Sequence, residues 1–425
     1  MTNSRHCGPN AGPDIFVRLG WFVRHGWLAC AGLGLALLTG CAQDSTPAST
    51  VAAAPAPQVT PLPFPEAVRK AANGVFTGAL ASPSPTGEKR VVVIDPLVNG
   101  VTGEQSVATK QIQENIVALA REKYPQFDIQ PFTAAAVSKG VSVMVGTFTP
   151  VNAQGATAGT REGYRFCLVM VDLKAGKTIA KSVSRVQLQG VNASPIGFFR
   201  DSPAWTPDPS VKSYIDTCQA TKVGDPISPV YVNGIVTASI ISEAIEAYDA
   251  DRYVPALDLY TTAEKTPAGN QLRVYNGLYL THSKLGHREQ AAAAFGRVVD
   301  HGLKNNTLGV KILFRAGSTA LDGNPGSNSP YDMWLQQIAN RAASANACFQ
   351  VTGHSSPSGS AAINDQLSQL RADYVKGRLE TIQPALRGHV IATGVGSRAN
   401  MIGTGADDPS DALDRRVEFK VIPSC

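Results

Sequence analysis

Three short polar motifs follow one another within residues 305–425, and each lies beside a segment with the pattern of a strand or a helix. The first is Gly353-His354-Ser355-Ser356, the second runs from Asn364 to Ala372 as Asn-Asp-Gln-Leu-Ser-Gln-Leu-Arg-Ala, and the third is Asp414-Arg415-Arg416-Val417-Glu418. A polar motif at the end of an apolar segment marks a point where chemistry-bearing side chains leave the core.

The apolar segments in this region predict the order βαβαββ. Strands are expected at 310–314, from Cys348 to Val351, at 390–393 and at 417–422. Two helices are expected between them. The apolar face of the first is formed by Trp334, Leu335, Ile338, Ala339 and Ala342, and that of the second by Leu367, Leu370, Tyr374 and Leu379.

The three motifs resemble those of the OmpA-like peptidoglycan-binding domain, which read roughly Gly-His-Thr-Asp, Asn-x-x-Leu-Ser-x-x-Arg-Ala and Asn-Arg-Arg-Val-Glu. The resemblance covers residues 305–425 and implies the family's βαβαββ fold. In that family, the Asp of the first motif and the Arg of the second hold the ammonium and carboxylate groups of a diamino acid in the wall peptide. Arg371 has the position of that Arg, but Ser356 stands where the Asp is expected.

The resemblance implies five peptidoglycan-binding residues, which are Arg371, Ser356, Asn364, His354 and Arg416. A serine accepts a hydrogen bond but carries no charge. Because a charge-assisted hydrogen bond contributes roughly 1.5–3 kcal/mol and a neutral one about 1 kcal/mol, the exchange predicts binding that is weaker by about tenfold or more, without loss of carboxylate capture by Arg371. Three alternatives stay open: a salt bridge from Arg371 to Asp414 or Glu418, a loop-stabilising role for His354, and support of the pocket from the sheet by Arg416.

Near the other end of the chain, an apolar run of about 12 residues from Trp27 to Leu38 follows a basic leader. It suits the core of a signal peptide better than a membrane span, which needs about 20 residues. The run ends in Leu38-Thr39-Gly40-Cys41, which resembles a lipoprotein lipobox. The resemblance implies a signal peptide at 1–40, lipidation (palmitate) of Cys41 and, because Ala42 follows, anchoring in the outer membrane facing the periplasm. Residues 41–65, rich in Ala, Pro, Ser and Thr, are expected to form a tether.

Four of the seven cysteines remain once the leader and Cys41 are set aside, an even number that fits an oxidising compartment. Four cysteines allow three pairings. Neighbourhood in the sequence favours Cys167–Cys218 and Cys348–Cys425. The OmpA-like fold also implies the second pair, because its sheet brings the strand that begins at Cys348 beside the strand that ends near Cys425.

Two more domains are expected upstream. Residues 66–225 combine short apolar runs, such as Arg90 to Asp95, with the helical repeat of Ile112, Ile116 and Leu119, which predicts an N-terminal α/β domain. Residues 230–303 are helical. There, Ala256 and Tyr260 recur as Ala291 and Phe295 after 35 residues, which resembles the repeat of about 34 residues of tetratricopeptide proteins. The chain is thus predicted to be a multidomain α/β and α+β protein.

Other functions find less support. A formal net charge of +5 without a basic tract gives no indication of nucleic-acid binding. The sequence lacks Cys-x-x-Cys and His-x-x-x-His spacings for a metal, and Gly-x-Ser-x-Gly for a hydrolase, so no metal, no cofactor and no enzymatic activity are expected. The function expected is that of an outer-membrane lipoprotein which binds the peptidoglycan stem peptide noncovalently and links an envelope protein partner to the wall. The alternative is a protein-interaction adaptor that has lost wall binding.

Overall fold

The computed structural model describes residues 60–82, 88–159, 161–204, 207–306, 308–310, 312–322, 329–401 and 409–425. Cys41, the predicted signal peptide and the predicted tether as far as residue 59 lie outside the described residues. Within the described ranges, we find no helix that combines the length and the apolar character needed to cross a membrane. Pro57–Cys425 is a compact unit by itself.

The N-terminal part is a five-stranded sheet with helices on both faces. Its elements are α1 (Phe64–Leu80), β1 (Arg90–Ile94), α2 (Val107–Lys123), β2 (Phe127–Gln130), α3 (Ala134–Val137), β3 (Ser142–Val151), β4 (Gly163–Asp172), β5 (Lys177–Gln187), α4 (Gly197–Asp201) and α5 (Pro209–Gln219). The strand order is β2-β1-β3-β4-β5, with β1 parallel to β2 and β3, and the other pairs antiparallel.

Side chains on the two faces of this sheet enter two separate cores. Phe76 and Ile112 cover one face, whereas Tyr214 and Ile215 of α5 cover the other. Because strands covered on both sides bury successive residues, their sequences read as continuous apolar runs. The Cys167–Cys218 disulfide joins β4 to α5, with the two Cα atoms 6.1 Å apart.

The folded part begins earlier than the predicted tether boundary at residue 65. Leu62 already exchanges backbone hydrogen bonds with Arg185 and Gln187 at the edge of β5, and α1 starts at Phe64. Prolines 63 and 65 made this segment resemble the proline-rich tether that precedes it. A proline in the first turn of a helix is well tolerated, because the backbone N–H there has no partner inside the helix.

Two antiparallel helical hairpins follow, formed by α6 (Pro229–Asp249) with α7 (Tyr253–Glu264) and by α8 (Leu272–Lys284) with α9 (Arg288–Asn305). Tyr260 of α7 and Phe295 of α9, 35 residues apart, are both fully buried. Gly277 lets α8 approach closely, because a Cβ atom there would overlap the ring of Tyr260. The tetratricopeptide-like assignment of this region stays a prediction.

The predicted boundary between residues 225 and 230 does not separate two cores. Tyr231 and Ile235, in the first half of α6, belong to the core of the N-terminal sheet, whereas Ile241 and Ile245 belong to the core of the hairpins. Similarly, the ring of Phe198, inside the predicted N-terminal domain, lies 5.9 Å from that of Tyr260. The hairpins therefore share α6 with the sheet domain.

The C-terminal part has the predicted order of strands and main helices. Its elements are β6 (Ile312–Leu313), α10 (Pro330–Ser344), β7 (Cys348–Gly353), α11 (Ala361–Ile382), β8 (Val390–Gly394) and β9 (Arg416–Ile422), with short 3₁₀ helices at Pro384–Leu386 and Pro409–Asp414. The sheet order is β6-β9-β7-β8, with β7 parallel to β8 and β9 antiparallel to β6 and β7. One continuous core extends from the hairpins into this part, where the Phe295 and Trp334 rings stack at 5.4 Å.

The apolar face predicted for α11 is wrong in its first half. Leu370 is 48% exposed and Leu367 only partly covered, while α11 buries Asn364, Ser368 and Arg371 instead. The first half of the helix packs against strand ends and loops, whose backbone groups require polar partners. Only Leu379 of the four predicted residues is fully buried.

Candidate functional site

The three polar motifs meet at one end of the C-terminal sheet. Strands β7 and β8 are parallel, so their carboxyl ends, Gly353 and Gly394, lie side by side. Because β9 runs antiparallel to β7, its first residues return to the same end, where Val417 pairs with Gly353. The topology thereby joins residues that are 64 positions apart in the sequence.

Helix α11 crosses this end in direct contact with the strands. A Cβ atom at Gly353 or Gly394 would overlap backbone atoms of Ser368 or Gln369, so only glycine permits the approach. The Ser368 hydroxyl accepts a hydrogen bond from the Gly396 N–H at 2.8 Å. These contacts fix the loops after β7 and β8 relative to α11.

Arg371 projects from α11 into the centre of this region and is 0% exposed. Its guanidinium donates to the carbonyl oxygens of Ser318 (Nε, 3.0 Å), His354 (Nη1, 2.8 Å) and Arg315 (Nη2, 2.9 Å). The ring of Phe314 lies 5.3 Å from its central carbon. Arg371 thus connects the turn after β6 to the loop after β7, and that turn covers it.

The loop after β7 holds buried polar atoms that lack a hydrogen-bond partner among the described residues. Ser355 is 1% exposed, yet its Oγ has no partner, and neither ring nitrogen of His354, which is 2% exposed, makes a hydrogen bond. His354 Nε2 lies 3.5 Å from Glu418 Oε2, which is a polar contact without hydrogen-bond geometry. Buried polar atoms are normally satisfied, so these three atoms of adjacent residues are ones that a ligand can satisfy; others, such as Thr147 Oγ1 and Tyr260 Oη, lie elsewhere in the described residues.

Arg416 and Glu418 form a pair beside that loop. Arg416 donates through Nε to Glu418 Oε1 at 2.7 Å, through Nη1 to the Leu413 carbonyl and through Nη2 to the Ala399 carbonyl, and its Nη2 also lies 2.6 Å from Glu418 Oε1. Burial lowers the pKa of His354, which keeps its ring neutral at pH 7. Burial would raise the pKa of Glu418, but the contact with His354 and the charge of Arg416 lower that pKa to about 2. Glu418 is therefore ionised at any physiological pH.

Ser356 and Asn364 shape the loop that leads into α11. The Ser356 Oγ lies 3.2 Å from the Ser358 Oγ, and Asn364 Nδ2 donates to the Ser358 carbonyl at 3.0 Å. The hydroxyl of Ser360 caps the helix by accepting from the Ile363 N–H. Both Ser356 and Asn364 are 5% exposed, so they contribute to the wall of the site.

All five residues that the sequence predicts for this site, Arg371, Ser356, Asn364, His354 and Arg416, lie at this end of the sheet. Sequence reasoning missed Ser355, Ser368 and Glu418 as members of it. Each of the three lies inside one of the polar motifs, so their position in those motifs was the available signal.

The opposite end of β7 carries the second disulfide, Cys348–Cys425, with the two Cα atoms 5.4 Å apart. His389 lies beside it, so the described residues bring Cys348, His389 and Cys425 together. A thiolate is the form of cysteine that binds metals. The two sulfur atoms are bonded to each other here, so this group is a disulfide with a neighbouring imidazole.

Comparison with known proteins gives limited information. No family model matches the sequence, and no curated protein matches it. Solved structures with a likeness to it include the peptidoglycan-associated lipoprotein from Burkholderia pseudomallei, 22% identical, covering 26% of this chain and 89% of its own, with a TM-score of 0.23. The cell wall anchor of the T6SS from Pseudomonas aeruginosa is 23% identical and covers 30% of this chain and 96% of its own, also with a TM-score of 0.23. Likenesses at this level carry no argument about the function of this chain.

Proposed function

We propose that residues 305–425 bind peptidoglycan noncovalently through the diamino acid of its stem peptide. The observation that carries the proposal is the convergence of three separate polar motifs at the carboxyl end of β7, around the unsatisfied polar atoms of His354 and Ser355. A zwitterionic amino acid offers donors and acceptors of both signs, and such a ligand satisfies neutral and charged groups together.

In this proposal, the Arg371 guanidinium binds the carboxylate of the diamino acid. The groups that surround Arg371 define what binding requires. Its described partners include the carbonyl oxygens of Arg315 and Ser318, in the turn after β6. An entering carboxylate competes with these two carbonyls, and the charged acceptor forms the stronger bond. The turn after β6 must then move away from Arg371.

Ser356 provides a neutral acceptor where an anion would hold the ligand's ammonium group. Binding is then weaker by about tenfold than with an aspartate at this position. Glu418 is anionic and partly exposed, but Arg416 neutralises much of its charge. Arg416 therefore supports the site, whereas Arg371 and Ser356 contact the ligand.

In the full proposal, the chain is an outer-membrane lipoprotein anchored through lipid on Cys41, facing the periplasm, and not an enzyme. Residues 41–59 are part of the tether, and several acyl chains give stable anchoring where one gives only marginal binding. The N-terminal sheet domain and the helical hairpins position an envelope protein partner. The chain thereby links the outer membrane to the wall.

Co-sedimentation with purified sacculi tests this function, with the chain from residue 42 onward, which retains the compact unit Pro57–Cys425. We expect wild type to sediment, Arg371→Lys to sediment less because an ammonium cannot grip a carboxylate in a bidentate manner, and Ser356→Asp to sediment about tenfold more tightly. Arg378→Lys, on the exposed side of the same helix, and Ser358→Asp, two residues from Ser356, are the matched controls. A wild type that fails to sediment, with no gain in Ser356→Asp, contradicts wall binding.

The second candidate is an envelope adaptor in which this domain has lost wall binding. The complete burial of Arg371 beneath the turn after β6 favours it, because in the described state no ligand carboxylate reaches the guanidinium. Absence of wild-type sedimentation combined with a gain in Ser356→Asp is the result expected for this candidate. In either case, incubated sacculi should release no soluble fragments.

A further inference from the structure

The turn between α8 and α9 brings two histidine side chains together far from the proposed wall-binding site. Helix α8 ends in a Schellman motif, in which the His287 N–H donates to the His282 carbonyl at 2.9 Å and the Gly286 N–H donates to the Ser283 carbonyl at 3.1 Å. Gly286 has φ = +77°, the left-handed conformation that this motif requires. The motif usually brings the two side chains at the positions of His282 and His287 into contact.

The two imidazoles face each other through their Nδ1 atoms, which lie 3.3 Å apart. Their ring centroids are 5.5 Å apart, with 50° between the ring planes. Zn–N bonds measure about 2.0–2.1 Å, so two nitrogens bound to one tetrahedral ion lie roughly 3.3 Å apart. The observed separation therefore matches the bite of a single metal ion without movement of the backbone.

The first hairpin provides an internal comparison. Its turn has the same backbone, because the Arg252 N–H donates to the Ala247 carbonyl at 2.9 Å and Asp251 has φ = +55°. All three residues precede their counterparts by 35 positions, so Ala247 and Arg252 stand where the second hairpin has His282 and His287. The first hairpin forms this turn without histidines, so the turn itself does not require the imidazole pair of the second hairpin.

The nearest charged neighbours of the imidazole pair do not oppose the approach of a cation. Burial, together with the neighbouring His287, lowers the pKa of His282. The nearest cation along the helix, Lys284, is paired with Asp201 at 3.1 Å and lies over the rings of Tyr248 and Tyr253, about 6 Å from each centroid. Arg288 and Glu289 are exposed neighbours of opposite charge in the first turn of α9.

We propose that His282 and His287 chelate one divalent transition-metal ion of the class that prefers imidazole, such as Zn²⁺, Ni²⁺ or Cu²⁺, through their Nδ1 atoms. Water fills the remaining positions, because His287 is exposed. No redox step is involved, and any proton on Nδ1 moves to Nε2 or to solvent when the metal binds. A direct imidazole–imidazole hydrogen bond is the competing arrangement.

Calorimetric titration with ZnCl₂ and NiCl₂ distinguishes the two. The tag-free chain from residue 42 onward, with its disulfides oxidised, retains the compact unit Pro57–Cys425 and omits His6 and His25. We expect one ion per chain, with affinity roughly tenfold to a hundredfold weaker in His282→Ala or His287→Ala. The double variant should lose little more than either single variant, because chelation needs both ligands. Binding should weaken as the pH is lowered, because protons compete with the metal for the imidazole nitrogens.

Two controls test the geometry. Gly286→Ala retains both imidazoles but strains the turn, so it should also weaken binding, and circular dichroism verifies that α8 and α9 persist. His389→Ala removes an imidazole elsewhere and should leave the affinity unchanged. Three results would each overturn the proposal. The losses of metal affinity in His282→Ala and His287→Ala could add in the double variant, as they would at independent sites. His389→Ala could weaken binding as much as His287→Ala, or the wild type could bind no metal at millimolar concentration.

Discussion

The two sheets of this protein each place a titratable residue directly after a parallel strand, and the two residues meet different surroundings. Asp95 follows β1, and its Oδ2 accepts a hydrogen bond from the Tyr231 hydroxyl at 2.8 Å. His354 follows β7, and its ring nitrogens have no hydrogen bond among the described residues. Both residues are almost completely buried. The same topological position thus carries a hydrogen-bonded side chain in one sheet and a side chain without hydrogen bonds in the other.

The hydrogen bond between Tyr231 and Asp95 joins the N-terminal sheet to the helical hairpins. Tyr231 lies in α6, the helix shared by both cores, and the Tyr214 hydroxyl accepts from the Gly146 N–H and lies within hydrogen-bond distance of the Pro96 carbonyl. Every one of these partners is internal, which is typical of a structural network. Among the described residues, the Ser355 hydroxyl and the His354 ring lack such partners, and this difference is the observation behind the binding proposal for that end of the C-terminal sheet.

The largest expected effect compares the two disulfides, one in each sheet domain. Replacing both cysteines of either pair by serine should lower the free energy of unfolding by about 4 kcal/mol, because the unfolded chain gains the entropy of an open loop. The loops span 51 and 77 residues, and this entropy depends only on the logarithm of loop length. Urea unfolding at 25 °C measures both losses. The two should agree within about 1 kcal/mol, and a loss confined to one pair would mean that the two domains do not depend on their crosslinks alike.

The next effect concerns Arg371. Arg371→Ala should destabilise the protein by about 3 kcal/mol, because three carbonyl oxygens lose a charged donor in a buried site. Arg378→Ala, on the same helix, removes an exposed pair with Asp332 and should cost about 0.5–1 kcal/mol. Thermal and urea unfolding of both variants provide the comparison. Equal losses in the two variants would show that Arg371 contributes no more than a surface arginine, which would contradict its role at the centre of the site.

Asp95, after β1, and His354, after β7, should make the free energy of unfolding depend on pH with opposite signs. Burial raises the pKa of Asp95 from 3.8 to about 7, although Tyr231 and Arg273 act against the shift. Between these values the folded chain holds a proton that the unfolded chain has released, so stability falls as pH rises from about 4 to about 7 and then levels off. Burial lowers the pKa of His354 below 6.5, despite the opposing effects of Glu418 and Asp414. The unfolded chain then binds the extra proton, so His354 makes stability rise with pH up to about 6.5.

Variants separate these two contributions. Asp95→Asn should remove the decrease in stability between pH 4 and 7, and His354→Gln should remove the increase below pH 6.5, each with a slope of at most about 1.4 kcal/mol per pH unit. Urea midpoints measured from pH 4 to 8 for wild type and both variants provide the test. A steeper decrease in Asp95→Asn than in wild type would contradict the assignment.

The sequence predicts most of the C-terminal fold, because strands there have short apolar runs, and its polar motifs mark the strand ends where the candidate site lies. It fails on α11, where counting apolar residues selects Leu367 and Leu370 although the helix buries Ser368 and Arg371. Hydrophobic periodicity describes packing against an apolar layer. It carries no information where a helix packs against strand ends whose backbone groups demand hydrogen bonds.

Two further failures have the same origin in tertiary structure. The boundary expected near residue 225 falls at the start of α6, a helix that serves two cores, and a linear pattern does not reveal which core each turn of a helix joins. His282 and His287, five residues apart, would point about 140° apart on a continuous helix of 3.6 residues per turn. Only the left-handed Gly286 brings their side chains together.

The smallest expected changes in stability test most directly the difference between the strand end at Asp95 and the strand end at His354. Tyr231→Phe removes a hydrogen bond that is made, so it should cost about 1 kcal/mol, or more because Asp95 is left without that donor. Ser355→Ala removes a buried hydroxyl that has no partner, so stability should be unchanged or rise by up to about 1 kcal/mol. Urea unfolding measures both, and sacculus binding of Ser355→Ala adds the functional result. If Ser355 is unsatisfied because it awaits a ligand, Ser355→Ala should bind sacculi more weakly while folding at least as stably as wild type. A loss of stability as large as that of Tyr231→Phe would instead make the loop after β7 a structural joint like the one after β1.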